Sequence, residues 1–234
     1  LAKRAFEIYQ QNTNVKGLIL FKHGIFTFGE TAKEAYSCMI EQVSLAEKFL
    51  RRGKKKVFKS VKLPKKIARV TEVAPILRGL ICASGRQVVM DFRSSETVRA
   101  FVNGVDLMRY SQKGTVTPDH VIRIKPNPLV LSFPDPNDLK GFSVSSKEAL
   151  VEYQKSYRKY FKRQNKRVGF VKTELDLMPR IILVPGLGLF GVDKSAHSAG
   201  IVADLAETNI EVITQAESLS RYEPITENDV FDIE

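Results

Sequence analysis

The stretch Ile181-Ile182-Leu183-Val184-Pro185-Gly186-Leu187-Gly188-Leu189-Phe190-Gly191-Val192-Asp193-Lys194-Ser195-Ala196 decides the fold. Residues 180–184 are read as a strand, 186–191 as a glycine turn with a short extended piece, and Ser195 as the cap of a helix to about Ser220. An earlier stretch, Leu18-Ile19-Leu20-Phe21-Lys22-His23-Gly24-Ile25-Phe26-Thr27-Phe28-Gly29-Glu30-Thr31-Ala32, has the same order. Gly24 and Gly29 are spaced like Gly186 and Gly191, and Phe28 matches Phe190. After a two-residue insertion, Thr31-Ala32-x-x-Ala35 matches Ser195-Ala196-x-x-Ala199. Two such copies imply two related domains. In this register His23 falls opposite Pro185, so any chemistry at His23 is lost in the second copy.

Around these copies the pattern predicts helices over 1–11, from Thr31 to about 52 with Glu34 completing a capping box, over 71–84, from Ser94-Ser95 to about 103, and over 146–167. Strands are expected at 17–21, 25–28, 87–92, 120–124 and 129–133, with a turn at 134–137 and an acidic surface loop at the end. Strands and helices alternate, so the class is α/β.

The composition supports an ordinary globular chain of one or two domains: 43% of its 234 residues are hydrophobic and 27% charged. No apolar run approaches the ~20 residues that span a bilayer, and no secretory leader is expected. Cys38 and Cys82 stand apart, which excludes a disulfide framework or a cysteine zinc site and makes a cytoplasmic location the expectation.

The net charge of +11 is unevenly spread. Residues 48–69 hold eleven Lys/Arg and no acid, while 197–234 hold nine acids and one base. The run at 48–69 contains Gly53 and Pro64 and reads as a solvated connector. A second basic stretch carries Tyr153, Tyr157, Tyr160 and Phe161 at helical spacing, which places those rings on one buried stripe rather than stacked on bases. No nucleic-acid partner and no membrane partner are expected.

Three motifs allow chemistry. Gly186-x-Gly188-x-x-Gly191 matches a dinucleotide-binding loop. However, Val192-Asp193-Lys194 separates it from the helix cap, no acid-ended strand follows, and the repeat already accounts for the outer glycines. His23 reads either as a structural residue after a buried strand or as one metal ligand held at a rigid strand end. The chain offers only His120 and His197 besides, and no His-x-His pair, so spacing establishes no site. In Thr117-Pro118-Asp119-His120, Asp119 either orients His120 or closes a turn.

With these residues assembled, GLILFKHGIFTFGETAKEAY (17–36), KGTVTPDHVIRIKPNPLVL (113–131) and VPGLGLFGVDKSAHSAGIVADL (184–205) resemble the class II aldolase/adducin family. Within it they are most similar to bifunctional rhamnulose-1-phosphate aldolase/short-chain dehydrogenase proteins. The resemblance implies a three-layer αβα fold, with residues 1–52 the end of an aldolase domain, 53–66 a basic linker, and 67–234 a second, degenerate aldolase-like domain. It implies that His23 is the last of three histidines holding a divalent metal, zinc. The family's His-x-His and catalytic acid precede such a segment and its nucleotide motif follows, so this stretch alone is expected to be inactive. The parent activity it implies is cleavage of a sugar phosphate in a homo-oligomer, the metal acting as a Lewis acid on the developing enediolate. The rival reading is a non-catalytic assembly module of the adducin kind.

Overall fold

The structure, a computed structural model, describes residues 2–82, 85 and 87–234. Leu1 and the last two positions of the helix expected over 71–84 lie outside the described residues. The chain divides into two units, Leu1–Lys55 and Lys56–Glu234.

In the first unit, α1 (Ala2–Gln11) precedes a hairpin of β1 (Gly17–Leu20) and β2 (Gly24–Thr27), and α2 (Ala32–Leu50) follows. Thr31 caps α2 by accepting from Glu34 N at 3.2 Å, and Glu34 Oε2 accepts from Glu30 N at 2.9 Å. This reciprocal pair satisfies two amides at the helix entry. Among the described residues of this unit only Cys38 is buried.

The second unit runs α3 (Val70–Cys82), β3 (Val89–Arg93), α4 (Glu96–Val102), α5 (Leu107–Ser111), a 3-10 turn (Pro118–His120), α6 (Val121–Ile124), β4 (Leu129–Val130), α7 (Leu139–Arg167), β5 (Ile181–Val184), β6 (Gly188–Asp193), α8 (Ala196–Leu219) and α9 (Glu227–Ile233). Among the described residues its sheet has the order β3-β6-β5-β4, antiparallel except for the β4–β5 pair. Alternate residues of the inner strands point to opposite faces. Ile181, Leu183 and Leu189 join a core with α4 and α8; Ile182, Val184, Phe190 and Val192 join another with α3 and α7. Such two-sided burial suits the unbroken apolar run IILV.

The segment after Lys55 is less of a free connector than its charge implies. Phe58 packs on Phe101 and Tyr110, and Val61 N donates to Asn103 O at 2.7 Å.

Four local expectations are corrected. Residues 120–124 form helical turns, not a strand: Val121 and Ile124 are the buried pair, at helical spacing, after Pro118 starts the turn. The strand expected over 129–133 holds only Leu129–Val130, although Leu131 N still donates to Leu183 O at 3.0 Å. α7 starts seven residues before Ser146, because Asp138 caps it by accepting from Gly141 N at 2.8 Å. The acidic end folds as α9, capped by Thr226, with Val230 and Phe231 buried.

Both copies of the repeat are hairpins with three-residue connections leading into a capped helix, and their pairing corrects the register. Leu20 pairs Gly24 and Val184 pairs Gly188. Gly24 therefore corresponds to Gly188, Thr27 to Gly191 and Thr31 to Ser195, with no insertion. The position of His23 is Leu187 in the second copy, not Pro185. The turns agree in detail: His23 N donates to Leu20 O at 2.9 Å, and Leu187 N to Val184 O at 3.0 Å. The left-handed residue is Lys22 (φ 58°) in one and Gly186 (φ 83°) in the other. Gly24 itself lies in β2 and does not provide the turn.

Candidate functional site

His23 closes the turn between β1 and β2, where its side chain is exposed. The hairpin face bearing Leu18, Leu20, Phe26 and Phe28 lines a trough of about 1330 Å³ with Phe6, Tyr9 and Cys38. Their counterparts, Ile182, Val184, Phe190 and Val192, are buried under α3 and α7 in the second unit. Much of the first unit's apolar surface is open: Ile19 is 77% exposed and Phe21 82%.

The other histidines have different surroundings. His120 Nδ1 lies 3.1 Å from Asn209 Oδ1 on α8, and the same oxygen accepts from Val116 N at 3.1 Å. That second bond makes the oxygen an acceptor, so Nδ1 carries the proton. This arrangement ties the 115–121 segment to α8. His197 is exposed in the first turn of α8. Among the described residues no group of three or more His, Cys, Asp or Glu could hold a metal ion.

The glycines of 186–191 sit in a hairpin rather than at a helix start. Gly186 makes the turn; a Cβ on Gly188 would lie 2.3 Å from Arg93 O, and one on Gly191 would lie 2.6 Å from Ala199 O. Each glycine therefore has a steric reason within the fold.

Sequence reasoning missed a cleft of about 480 Å³ in the second unit, walled by α5, residues 126–128, α7 and α9. Tyr153, Tyr157 and Tyr160 lie along it. Tyr157 OH donates to Glu234 Oε1 at 2.5 Å and Tyr160 OH to Glu234 Oε2 at 2.7 Å. Burial, and then the neighbouring Glu234 carboxylate, push both phenols far above their ordinary range; burial does the same to Tyr153. The helical stripe was legible, but its partner Glu234 lies on a segment read as loop. The signal that could have found it is Thr226-x-x-Asp229 before Val230-Phe231, a cap followed by an apolar pair.

α9 is clamped to α7 by charge as well. Arg163 grips both oxygens of Glu227 at 2.7 Å, and Arg167 pairs with Asp232. Beneath, buried Lys125 lies over the Tyr157 ring and pairs with Asp176. Burial opposes ionisation of Asp176, but hydrogen bonds from Arg180 and the charge of Lys125 outweigh it and hold the carboxyl below its usual range.

Residues 68–234 match the family described as "Aldolase class II, second domain". The chain is also 26% identical, over its whole length, to YuxG of Bacillus subtilis (strain 168), named an uncharacterized oxidoreductase. It spans 34% of that protein's length. No solved structure matches it.

Proposed function

This chain belongs to the class II aldolase family, through the second-domain match over residues 68–234, and from that premise we propose that it is part of a metal-dependent aldolase joined to a short-chain dehydrogenase. The substrate in this reading is a sugar phosphate resembling rhamnulose-1-phosphate. The oxidoreductase name of the relative, whose length is three times that covered here, supports a fused dehydrogenase. Residues 67–234 are then a degenerate aldolase-like domain in a three-layer αβα arrangement, and 1–52 the end of a first aldolase domain.

The observation that carries the proposal is the repeated hairpin, with His23 in one copy and Leu187 at the same place in the other. A rigid turn that presents an exposed imidazole suits a metal ligand; a leucine there does not. The described residues do not make a metal site by themselves, since a catalytic zinc takes about three protein ligands. In this proposal the other two imidazoles come from polypeptide beyond this chain, and no bond-breaking step is assigned to residues within it. The apolar trough beside the hairpin supports the idea that more of the first domain packs there. The same substitution at Leu187 favours a supporting role for the second unit, as in the non-catalytic assembly module, within a cytoplasmic homo-oligomer.

The test is His23→Ala in the full-length parent. Expected are loss of bound zinc by elemental analysis and loss of rhamnulose-1-phosphate cleavage, with the helical circular dichroism unchanged. Full zinc content and activity in the variant overturn the assignment. Titration of the protein with NAD is expected to leave residues 186–191 unperturbed; micromolar binding that shifts the backbone amide resonances of 186–191 overturns that expectation.

A further inference from the structure

We infer that the first hairpin is the middle of a larger sheet, and that the polypeptide preceding α1 in the parent completes it. That segment lays one strand parallel to β1 and another antiparallel to β2, and it covers both faces of the hairpin. This completion, which rests on reading residues 1–52 as the end of a larger domain, assumes nothing about metal or aldol chemistry.

The second copy is the template. In the register of the two hairpins, β1 corresponds to β5 and β2 to β6. β5 carries β4 in parallel along its outer edge, with Leu129 beside Ile182 and Val130 beside Leu183. β6 carries β3 antiparallel along its outer edge, from Leu189 to Asp193. The equivalent edges, at Leu18 and Ile19 and from Ile25 to Gly29, carry no strand among the described residues. An open edge is a row of donors and acceptors ready to pair. Both faces show the same gap. Leu183 is 2% exposed in the core with α4 and α8, whereas Ile19 in the same place is 77% exposed. Ile182, Val184, Phe190 and Val192 lie under α3 and α7, while Leu18, Leu20, Phe26 and Phe28 open onto the trough. Contiguous apolar surface of this kind marks a contact site.

Chain order names the occupant. α3, β3, α4, β4 and α7 all precede β5, and α8, which follows β6, already has its counterpart in α2. α1 directly precedes its hairpin as α7 does, and turns Ala2, Ala5, Phe6 and Tyr9, spaced as one helical face, into the trough. Tyr9 meets Phe28 edge-on at 5.1 Å. α7 is the crossover between β4 and β5, since parallel neighbours need a connection of about a dozen residues or more. α1 is then the end of the equivalent crossover, and the strand it leaves lies along β1. A second copy does not fit as well. Two copies related by a two-fold axis pair like edges antiparallel, which supplies no parallel strand at β1. The Bacillus subtilis relative, of whose length this chain covers 34%, has ample polypeptide for the added elements.

Amide exchange on the full-length parent is the test. The amides of residues 17–20 and 24–29 are expected to exchange within about a hundredfold of those of 181–184 and 188–193, as strands inside a covered sheet do. In the parent carrying Ile19→Cys, the new thiol is expected to react with a maleimide about 100-fold or more slowly than in urea, where local cover is lost. If that variant fails to fold, exchange on the unmodified parent decides alone. Faster exchange than stated in the first hairpin, or a thiol at position 19 as reactive as in urea, overturns the inference. Protection that vanishes when the parent is diluted to monomers assigns the surface to a second copy and overturns it too. Zinc content of the same sample separates the two readings. A protected hairpin without zinc removes the metal site and leaves this completion standing; zinc with an unprotected hairpin does the reverse.

Discussion

The hairpin of β1 and β2 and the hairpin of β5 and β6 share a turn length, a left-handed turn residue, a pairing register and a helix cap seven residues after the second strand begins. They differ in what surrounds them. β5 and β6 are the inner strands of a four-stranded sheet with helices on both faces, whereas β1 and β2 pair only with each other among the described residues. Local chemistry fixed the path of the chain in both copies, and neighbouring elements decided whether that path became a core. A capped helix and a tight turn need only a few residues in sequence, but burial needs partners from far along it.

The sharpest difference lies where β meets α. Thr27 Oγ1 donates to Ala35 O at 2.7 Å in the first copy, while Gly191 lets α8 approach so closely that a Cβ would meet Ala199 O at 2.6 Å and Ala203 N at 2.7 Å. Both obstructions are backbone, so they cannot swing aside. Gly191→Thr, which installs the first copy's residue, is expected to cost about 3 kcal/mol or more. The melting temperature of the second unit should fall by roughly 6–12 °C for a unit of this size. Thr27→Gly should cost about 1 kcal/mol, the worth of one hydrogen bond, read as faster amide exchange in the first hairpin. Equal losses would mean that the two helices pack alike.

Burial separates the paired phenylalanines next. Phe190 is 1% exposed and Phe26 38%. Phe190→Ala is expected to destabilise by about 3–5 kcal/mol in urea unfolding, and Phe26→Ala by about 1 kcal/mol. A large loss at Phe26 would show that the trough beside it is filled in solution, and would make the burial of the first hairpin resemble that of the second.

What was legible follows the same division. Thr31, Ser95 and Ser195 were readable as caps, and each accepts from the amide three residues on. Residues 180–184 were readable as a strand, and β5 covers Ile181–Val184. The strand expected at 120–124 failed because the β-branched Val-Ile-Arg-Ile favours a strand in isolation, whereas Val121 and Ile124 are buried at helical spacing in the folded unit. The repeat was found two residues out of register, since matching glycines by spacing ignored that only pairing tells which glycine turns and which lies in the strand. His23 was readable at a turn, but the residue that turns the backbone is Lys22, not Gly24, which lies in β2. The cleft was illegible because its walls span Met108 to Val230 and no short pattern joins them.

The caps test the likeness itself. Thr31→Ala and Ser195→Ala each remove one side-chain acceptor from a helix entry of matching backbone angles, φ −130° and −134°. Each should cost about 1 kcal/mol. Helix content near each terminus, followed by exchange of the Glu34 and Ser198 amides, should fall to a similar degree. A cap that matters in one copy alone would show that burial of the helix, not the local bond, sets its start.

The smallest expected effect concerns the turn. Lys22 holds φ at 58°, the place where the second copy has Gly186 at 83°. An L-residue in that region is disfavoured by roughly 1–2 kcal/mol because its Cβ crowds the following carbonyl. Glycine escapes that clash but forfeits about 0.5–1 kcal/mol of extra freedom when ordered. Lys22→Gly should therefore stabilise the first hairpin by about 0.5 kcal/mol, seen as slower exchange of the amides paired between β1 and β2. The lysine also lies over the Phe21 ring at 5.1 Å, a contact that glycine would surrender, and Phe21 is so exposed that the loss is small. If the variant loses protection instead, the side chain of Lys22 holds the turn that presents His23, and a residue chosen for its charge has displaced the glycine that geometry alone would select.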